Sequence, residues 1–343
     1  MAKIQTKLTE LLGITSPVVV PAMAFGSGGK LAAEVSRAGG FGFMGLAFET
    51  PDQVKQELAT ARSILDVPAD STLPIGVGYI GWILDESEPK AKELISIAFE
   101  HRVRAIWLSH GDNLGKWVGY YRELVEKTGH HPLLAVQVSF PETAQVAIDD
   151  WKADIIVAQG IEAGGHGAAE GFPLLTLLPL ILSKAGPNGP PIIAAGGIAT
   201  GSQVAALLTL GASGAALGTR FLLSPESLYS DKQRQVILDA ESPQSVRTLA
   251  FDEARGYHNW PKYVDGRAIR NATYDDFQKG DDINVIRQKY AAASETEDLD
   301  RVVVWAGAGV SAMNKVLPAK DIVQELHEEC LSHLRGVNGL VKS

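Results

Sequence analysis

Residues 191–223 read PIIAAGGIATGSQVAALLTLGASGAALGTRFLL, and the architecture of the chain is written in their order. Ile192 to Ala195 is a short apolar run of the kind a strand buried on both faces requires, and Gly196-Gly197 ends it. Thr200-Gly201-Ser202 is a helix start signal ahead of Gln203 to Leu210. A second buried strand follows at Gly214 to Leu217 and stops at Gly218-Thr219-Arg220. A helix between two such strands is the repeating unit of a parallel sheet.

The same unit recurs upstream at a nearly constant interval. Strands are expected at Val18–Ala22, Gly42–Leu46, Pro74–Gly78, Ala105–Ser109, Leu133–Val138, Asp154–Ala158, Ile192–Ala195 and Gly214–Leu217, eight in all. Thr50-Pro51-Asp52 starts a helix over Gln53–Leu65, and Pro141-Glu142 starts another over Thr143–Asp150. Eight βα units make a closed (β/α)8 TIM barrel the expected α/β fold. A doubly wound open sheet fits less well, because GSGGK at 26–30 lacks the GxGxxG spacing and no acidic residue ends the second strand.

The repeat stops after Leu223. Residues 226–300 are more polar, with a helical stretch at Glu226–Ala240 and then the loop-rich, aromatic sequence FDEARGYHNWPKYVDGRAIRNATYDDF, and a small, mainly helical cap inserted after the eighth strand is expected. The barrel then comprises residues 1–225 and 301–335. VVVWAGAG is read as an extended segment and Ala319–Leu334 as an amphipathic helix that completes the outer ring.

Composition excludes several function classes. With 45% apolar and 21% charged residues the chain reads as soluble, and no apolar run nears the roughly 20 residues of a membrane span. The net charge of −9 argues against nucleic acid as a partner, since such surfaces need clustered Lys and Arg. MAKIQTKLTELLGI lacks a leader's apolar centre and cleavage site, LVKS does not match the peroxisomal ending, and the single Cys330 lies in an apolar-periodic helix, so a reducing, cytoplasmic setting is expected. No metal site is expected; His130-His131 precedes a strand, on the face away from a barrel site.

Reactive groups of such a barrel come from the C-terminal strand ends. This selects Ala22, Met23 and Ala24 after the first strand, Gln137 on the fifth, Gly196 and Gly197 after the seventh, and Gly218 and Thr219 after the eighth. After the sixth strand, AQGIEAGGHG surrounds His166 with glycines that include Gly164 and Gly165. Backbone N–H groups approach a phosphate closely only where no Cβ intervenes, so the two consecutive glycine turns at 196–197 and 218–219 read as a phosphate cradle. Arg220 either neutralises that phosphate or forms a structural ion pair. Phosphosugar isomerases share such cradles but need a paired acid and base, and the one strand-end carboxylate is Glu162. FMN fits better: Ala22, Met23 and Ala24 leave room for a flat ring, and Gln137 can reach its polar edge. His110, in LSHGD, reads as a substrate or a packing residue. Tyr257, His258, Trp260, Tyr263, Tyr79 and Trp82 read equally as an entrance lining or as core.

PAMAFGSG, AQGIEAGGHG, PIIAAGGIATG and GAALGTRFL, in this order, resemble the nitronate monooxygenases, once called 2-nitropropane dioxygenases. The likeness runs over roughly residues 14–223 and returns at VVVWAGAGV. It implies an FMN-dependent barrel in which His166 is the catalytic residue over the flavin. Gly165 lies at the flavin edge, Gly164 beside it is also cofactor-binding, Gly196, Gly197, Gly218 and Thr219 hold the FMN phosphate, Met23 and Ala24 border the ring, and Gln137 takes the fifth-strand polar position. Many relatives have an asparagine after the third strand, as in GVN, where this chain has Gly76-Val77-Gly78. The implied reaction is oxidation of an alkyl nitronate, such as propionate 3-nitronate, with O2 to a carbonyl compound and nitrite. The implied partners are a small-molecule substrate and O2, with a homodimer as the assembly to test. Two other readings stay open: an NAD(P)H-dependent flavin reductase of quinones or enoyl thioesters on the same barrel, and a phosphate-binding barrel without turnover. An IMP-dehydrogenase-like reaction is disfavoured, because it needs a cysteine after the sixth strand.

Overall fold

Eight strands close on one another in the computed structural model, which describes residues 2–337 of the 343; the ending LVKS lies outside them. In chain order the strands are β1 (Val18–Val20), β2 (Phe41–Gly45), β3 (Leu73–Ile80), β4 (Val103–Ser109), β5 (Leu133–Val138), β6 (Ile155–Gln159), β7 (Gly165–Ala168), β8 (Ile192–Ala195), β9 (Gly214–Ala216), β10 (Ser245–Thr248) and β11 (Val264–Ile269). All but β7, β10 and β11 form the parallel barrel, closed where Val18 and Val19 of β1 pair with Ala215 and Ala216 of β9. The expected TIM barrel is therefore present, with every predicted strand in place to within two or three residues.

Alternation along the strands splits the apolar residues into two cores. Val19, Phe43, Trp107, Ala135, Val157 and Ile193 fill the barrel, with Leu8 and Leu12 of the helix Lys7–Leu12 packed into the same interior cluster. Val18, Val20, Ile106, Leu108, Val136 and Ile156 face the helical ring. Phe43 and Trp107 meet edge-on at 5.0 Å between ring centroids, and this bulk explains the glycines of β3. A Cβ on Gly76 would lie 2.2 Å from the Phe43 ring, and one on Gly78 would lie 2.2 Å from the Ala22 Cβ. The chain departs from the GVN pattern where its own interior leaves no room.

The helix Ala319–Val337 closes the outer ring, as expected, burying Ile322, Val323, Leu326 and Cys330. It crosses the helix Gly201–Thr209 so closely that a Cβ on Gly201 would lie 2.3 Å from the Leu326 carbonyl. Each fully buried Leu or Ile there contributes about 1.5–3 kcal/mol.

Two expectations change in detail. The helix predicted from Glu226 begins at Asp231, capped by Ser230, because the Glu226 carboxylate turns back to the Ala319 N–H at 3.1 Å. Residues 226–300 carry helices at Asp231–Asp239, Ala250–Arg255, Ala272–Lys279 and Ile283–Thr296, so the stretch read as loop-rich holds helices, and its strands β10 and β11 join β7 in an antiparallel sheet of order β10-β11-β7. β7 contains His166, so the glycine-rich loop after the sixth strand is in fact partly a strand, paired through His166↔Gly266. VVVWAGAG is not a strand; it forms only the bridge Ala268↔Trp305 and passes along the barrel mouth. No helix among the described residues is long and apolar enough to cross a membrane.

Candidate active site

The C-terminal ends of the barrel strands and the segments above them enclose a cavity of about 190 Å³, against about 60 Å³ for the next. His166, Ala22, Met23, Ala24, Gln137, Gly164, Gly165, Gly196, Gly197, Gly218 and Thr219 all line it. Residues separated by almost 200 positions are thus brought to one mouth, as the strand-end rule requires.

The two glycine turns differ in how they are made. Gly196 and Gly197 have φ of +124° and +67°, values that a residue with a side chain reaches only under strain. Gly218 has ordinary φ and leads into a single helical turn, Thr219–Leu222. Among the described residues no protein acceptor meets the N–H groups of Gly197, Ile198, Gly218 and Thr219, although all four line the cavity. Unpaired donors in a pocket call for an acceptor from outside the chain. The tail braces this corner: Gly307 donates its N–H to Thr219 Oγ1 at 2.9 Å, and a Cβ on Gly309 would lie 2.4 Å from the Gly197 carbonyl. Arg220 does not line the cavity; it is buried against the Lys315 carbonyl and Glu325 and so takes the structural alternative.

Gln137 is held on both sides. Trp107 Nε1, which can only donate, lies 3.2 Å from Gln137 Oε1, so the amide nitrogen faces His110 Nε2 at 3.0 Å. His110 Nε2 must then accept, which keeps that ring neutral. Burial, with His166 and Arg247 adding to it, lowers the His110 pKa to about 3.

His166 is enclosed more tightly than a loop residue would be. Its Nε2 lies 3.0 and 2.9 Å from the two carboxylate oxygens of Asp252, which is buried. The Trp260 indole stacks on the imidazole at 3.5 Å between centroids and 11° between planes, and Trp305 is tilted toward it at 4.8 Å. Burial outweighs the Asp252 carboxylate and holds the His166 pKa below its usual value. Arg255 also lines the cavity, with its guanidinium 4.4 Å from the Tyr257 ring centre and no carboxylate partner among the described residues.

A family model described as nitronate monooxygenase matches residues 5–329. The chain belongs to the nitronate monooxygenase family. It is 34% identical to a nitronate monooxygenase of Neurospora crassa, over 97% of this chain and 94% of that one. Its fold matches that of FabK from Thermotoga maritima with a TM-score of 0.80 at 25% identity, over 99% of this chain and 100% of that one. A nitroalkane oxidase from Streptomyces ansochromogenes gives 0.76 at 24% identity, over 97% and 100%, and supports the fold. The chain is thus an oxidoreductase of a flavin-dependent family.

The residues present fit a flavin. The four unpaired N–H groups supply an anion site, and a Cβ on Gly165 would enter open space in the cavity lining. Trp82 and Trp260 each keep an unpartnered indole N–H beside it.

Sequence reasoning missed Asp252, Trp305 and Arg255. Asp252 lies 86 positions from His166 on a short helix, and no spacing rule joins them. The strand register that pairs β7 with β11 was the absent link. Of the ambiguous aromatics, Trp82, Tyr257 and Trp260 line the cavity. Tyr79 is core, its hydroxyl donating to the Leu94 carbonyl, and Tyr263 packs on Phe140 outside the cavity. His258 pairs with Glu253 away from the cavity. Glu162 caps the helix at Leu174, 3.0 Å from its N–H, and is not a strand-end acid or base.

Proposed function

We propose that the chain binds FMN in this cavity and oxidises alkyl nitronates, propionate 3-nitronate among them, with O2 to a carbonyl compound and nitrite. The observation that carries the reading is the position of His166 in the same cavity as the unpaired N–H groups of two consecutive glycine turns. Gly197, Ile198, Gly218 and Thr219 would hold the phosphate, while Ala22, Met23, Ala24 and Gly165 leave space for the ring. Bound FMN supplies the electron transfer from nitronate to O2.

The remaining work falls to side chains. A neutral imidazole is a base, and with its pKa held low His166 is ready to accept the α-proton of a nitroalkane near pH 7. Arg255 gives an anionic nitronate a cation to approach. Trp260 and Trp82, in edge contact at 5.2 Å, keep water from the imidazole face.

Purified protein with bound FMN, mixed with ethyl nitronate in air, should release nitrite in proportion to O2 consumed. Absence of nitrite would refute the reading. Anaerobic bleaching of the flavin by NADPH at rates exceeding nitronate turnover would replace it with the reductase alternative.

A further inference from the structure

His166 and Asp252 define which imidazole nitrogen works. Asp252 sits in the first turn of the helix Ala250–Arg255, 3% exposed, and among the described residues its side chain meets no donor except His166 Nε2. Both carboxylate oxygens lie within 3.0 Å of that nitrogen. An ionised carboxylate only accepts, so Nε2 carries a hydrogen, and a neutral ring then has its lone pair on Nδ1. Among the described residues Nδ1 meets no protein partner, and unlike the indole N–H groups of Trp82 and Trp260 it is not sealed from solvent. The ring cannot turn freely, because Trp260 covers one face at 3.5 Å and the backbone of β7 is held by Gly266 and by Gln159, whose amide donates to the His166 carbonyl at 3.1 Å.

We infer that Asp252 is a positioning residue that fixes His166 as its Nε2–H tautomer, so that Nδ1 is the atom that takes the α-proton of a neutral nitroalkane. The inference rests on the proposed nitronate chemistry. The α-C–H bond breaks, its electron pair enters the C=N bond of the nitronate, and the proton arrives on Nδ1. The imidazolium so formed lies against the Asp252 carboxylate, which offsets its charge in a buried site. A preformed nitronate has already lost this proton and makes no such demand.

Two measurements on the full-length, FMN-loaded protein test it. In protein labelled with 15N-histidine, with the His166 signals identified by their loss in His166→Asn, Nε2 should be protonated and Nδ1 should carry a lone pair; the opposite tautomer would overturn the inference. This readout needs no turnover, and it stands even where Asp252 variants fold poorly. In Asp252→Asn the amide can donate to Nε2 instead, so kcat/KM for nitroethane should fall about 10²-fold or more while that for ethyl nitronate falls less than about fivefold, with the flavin spectrum retained. Equal losses on the two substrates, or an unchanged nitroethane rate, would overturn it. If the parent protein makes no nitrite from ethyl nitronate, the proposed function fails, and the tautomer is still decided by the nitrogen signals.

Discussion

An imidazole on a glycine-rich segment has no reason to stay in one orientation; His166 acquires one from residues far away in the chain. Asp252 holds its Nε2, Trp260 covers a face, and the β7–β11 pairing fixes its backbone. Replacing His166 by Asn keeps the approximate volume and removes the base. Turnover of nitroethane should fall about 10²-fold or more with the absorption of bound flavin unchanged, as read by nitrite release and a visible spectrum of the same sample. Arg255 is a different kind of residue, one that attracts rather than reacts. Arg255→Leu should raise KM for ethyl nitronate about tenfold, the equivalent of about 1.4 kcal/mol, and leave kcat within about threefold.

At the scale of elements, one structural decision places the chemistry: the segment after β6 leaves the barrel and adds a third strand to the sheet of β10 and β11. Gly266, opposite His166 in that sheet, is what admits Trp305, since a Cβ there would lie 2.4 Å from the indole ring. Gly266→Ala should therefore push Trp305 from its place beside His166. We expect a loss of about 1–3 kcal/mol of stability, measured by denaturant unfolding, and a changed tryptophan emission spectrum in the folded state. This level was only partly legible in the sequence. The barrel strands could be read because burial on both faces leaves unbroken apolar runs, and the helix Ala319–Val337 because its apolar stripe is wide. β7, by contrast, is Gly-His-Gly-Ala, a composition with little strand propensity, and only its partner β11 makes it a strand. The VVVWAGAG segment misleads in the opposite direction: it is β-branched and apolar, but its glycines press against Gly164 and Gly197, and close packing replaces pairing.

For the whole molecule, the site has a consequence for stability. His110 is only partly exposed, on the cavity wall, and burial holds its pKa at about 3 in the folded chain against roughly 6.5 when unfolded. Above pH 6.5 neither state binds the proton. As pH falls below that value the unfolded chain takes up a proton the folded chain refuses, so stability declines toward pH 3, by about 2 kcal/mol at pH 5. His166, also lowered by burial, acts in the same direction. Melting followed by circular dichroism should show a drop in Tm from pH 7 to pH 5 that is clearly smaller in His110→Gln. The sequence placed His110 at a strand end but gave no means of choosing between packing and substrate contact. The structure puts it both in a chain from Trp107 through Gln137 and on the cavity wall, edge-on to Trp260, so it packs and faces the site.

The most direct test is a crystal structure of the protein grown with FMN. Electron density should show the phosphate on the N–H groups of Gly197, Ile198, Gly218 and Thr219, and the isoalloxazine ring across Ala22, Met23 and Ala24 with the His166 imidazole on its open face. Density for the cofactor elsewhere, or an imidazole turned away from the ring, would contradict the account.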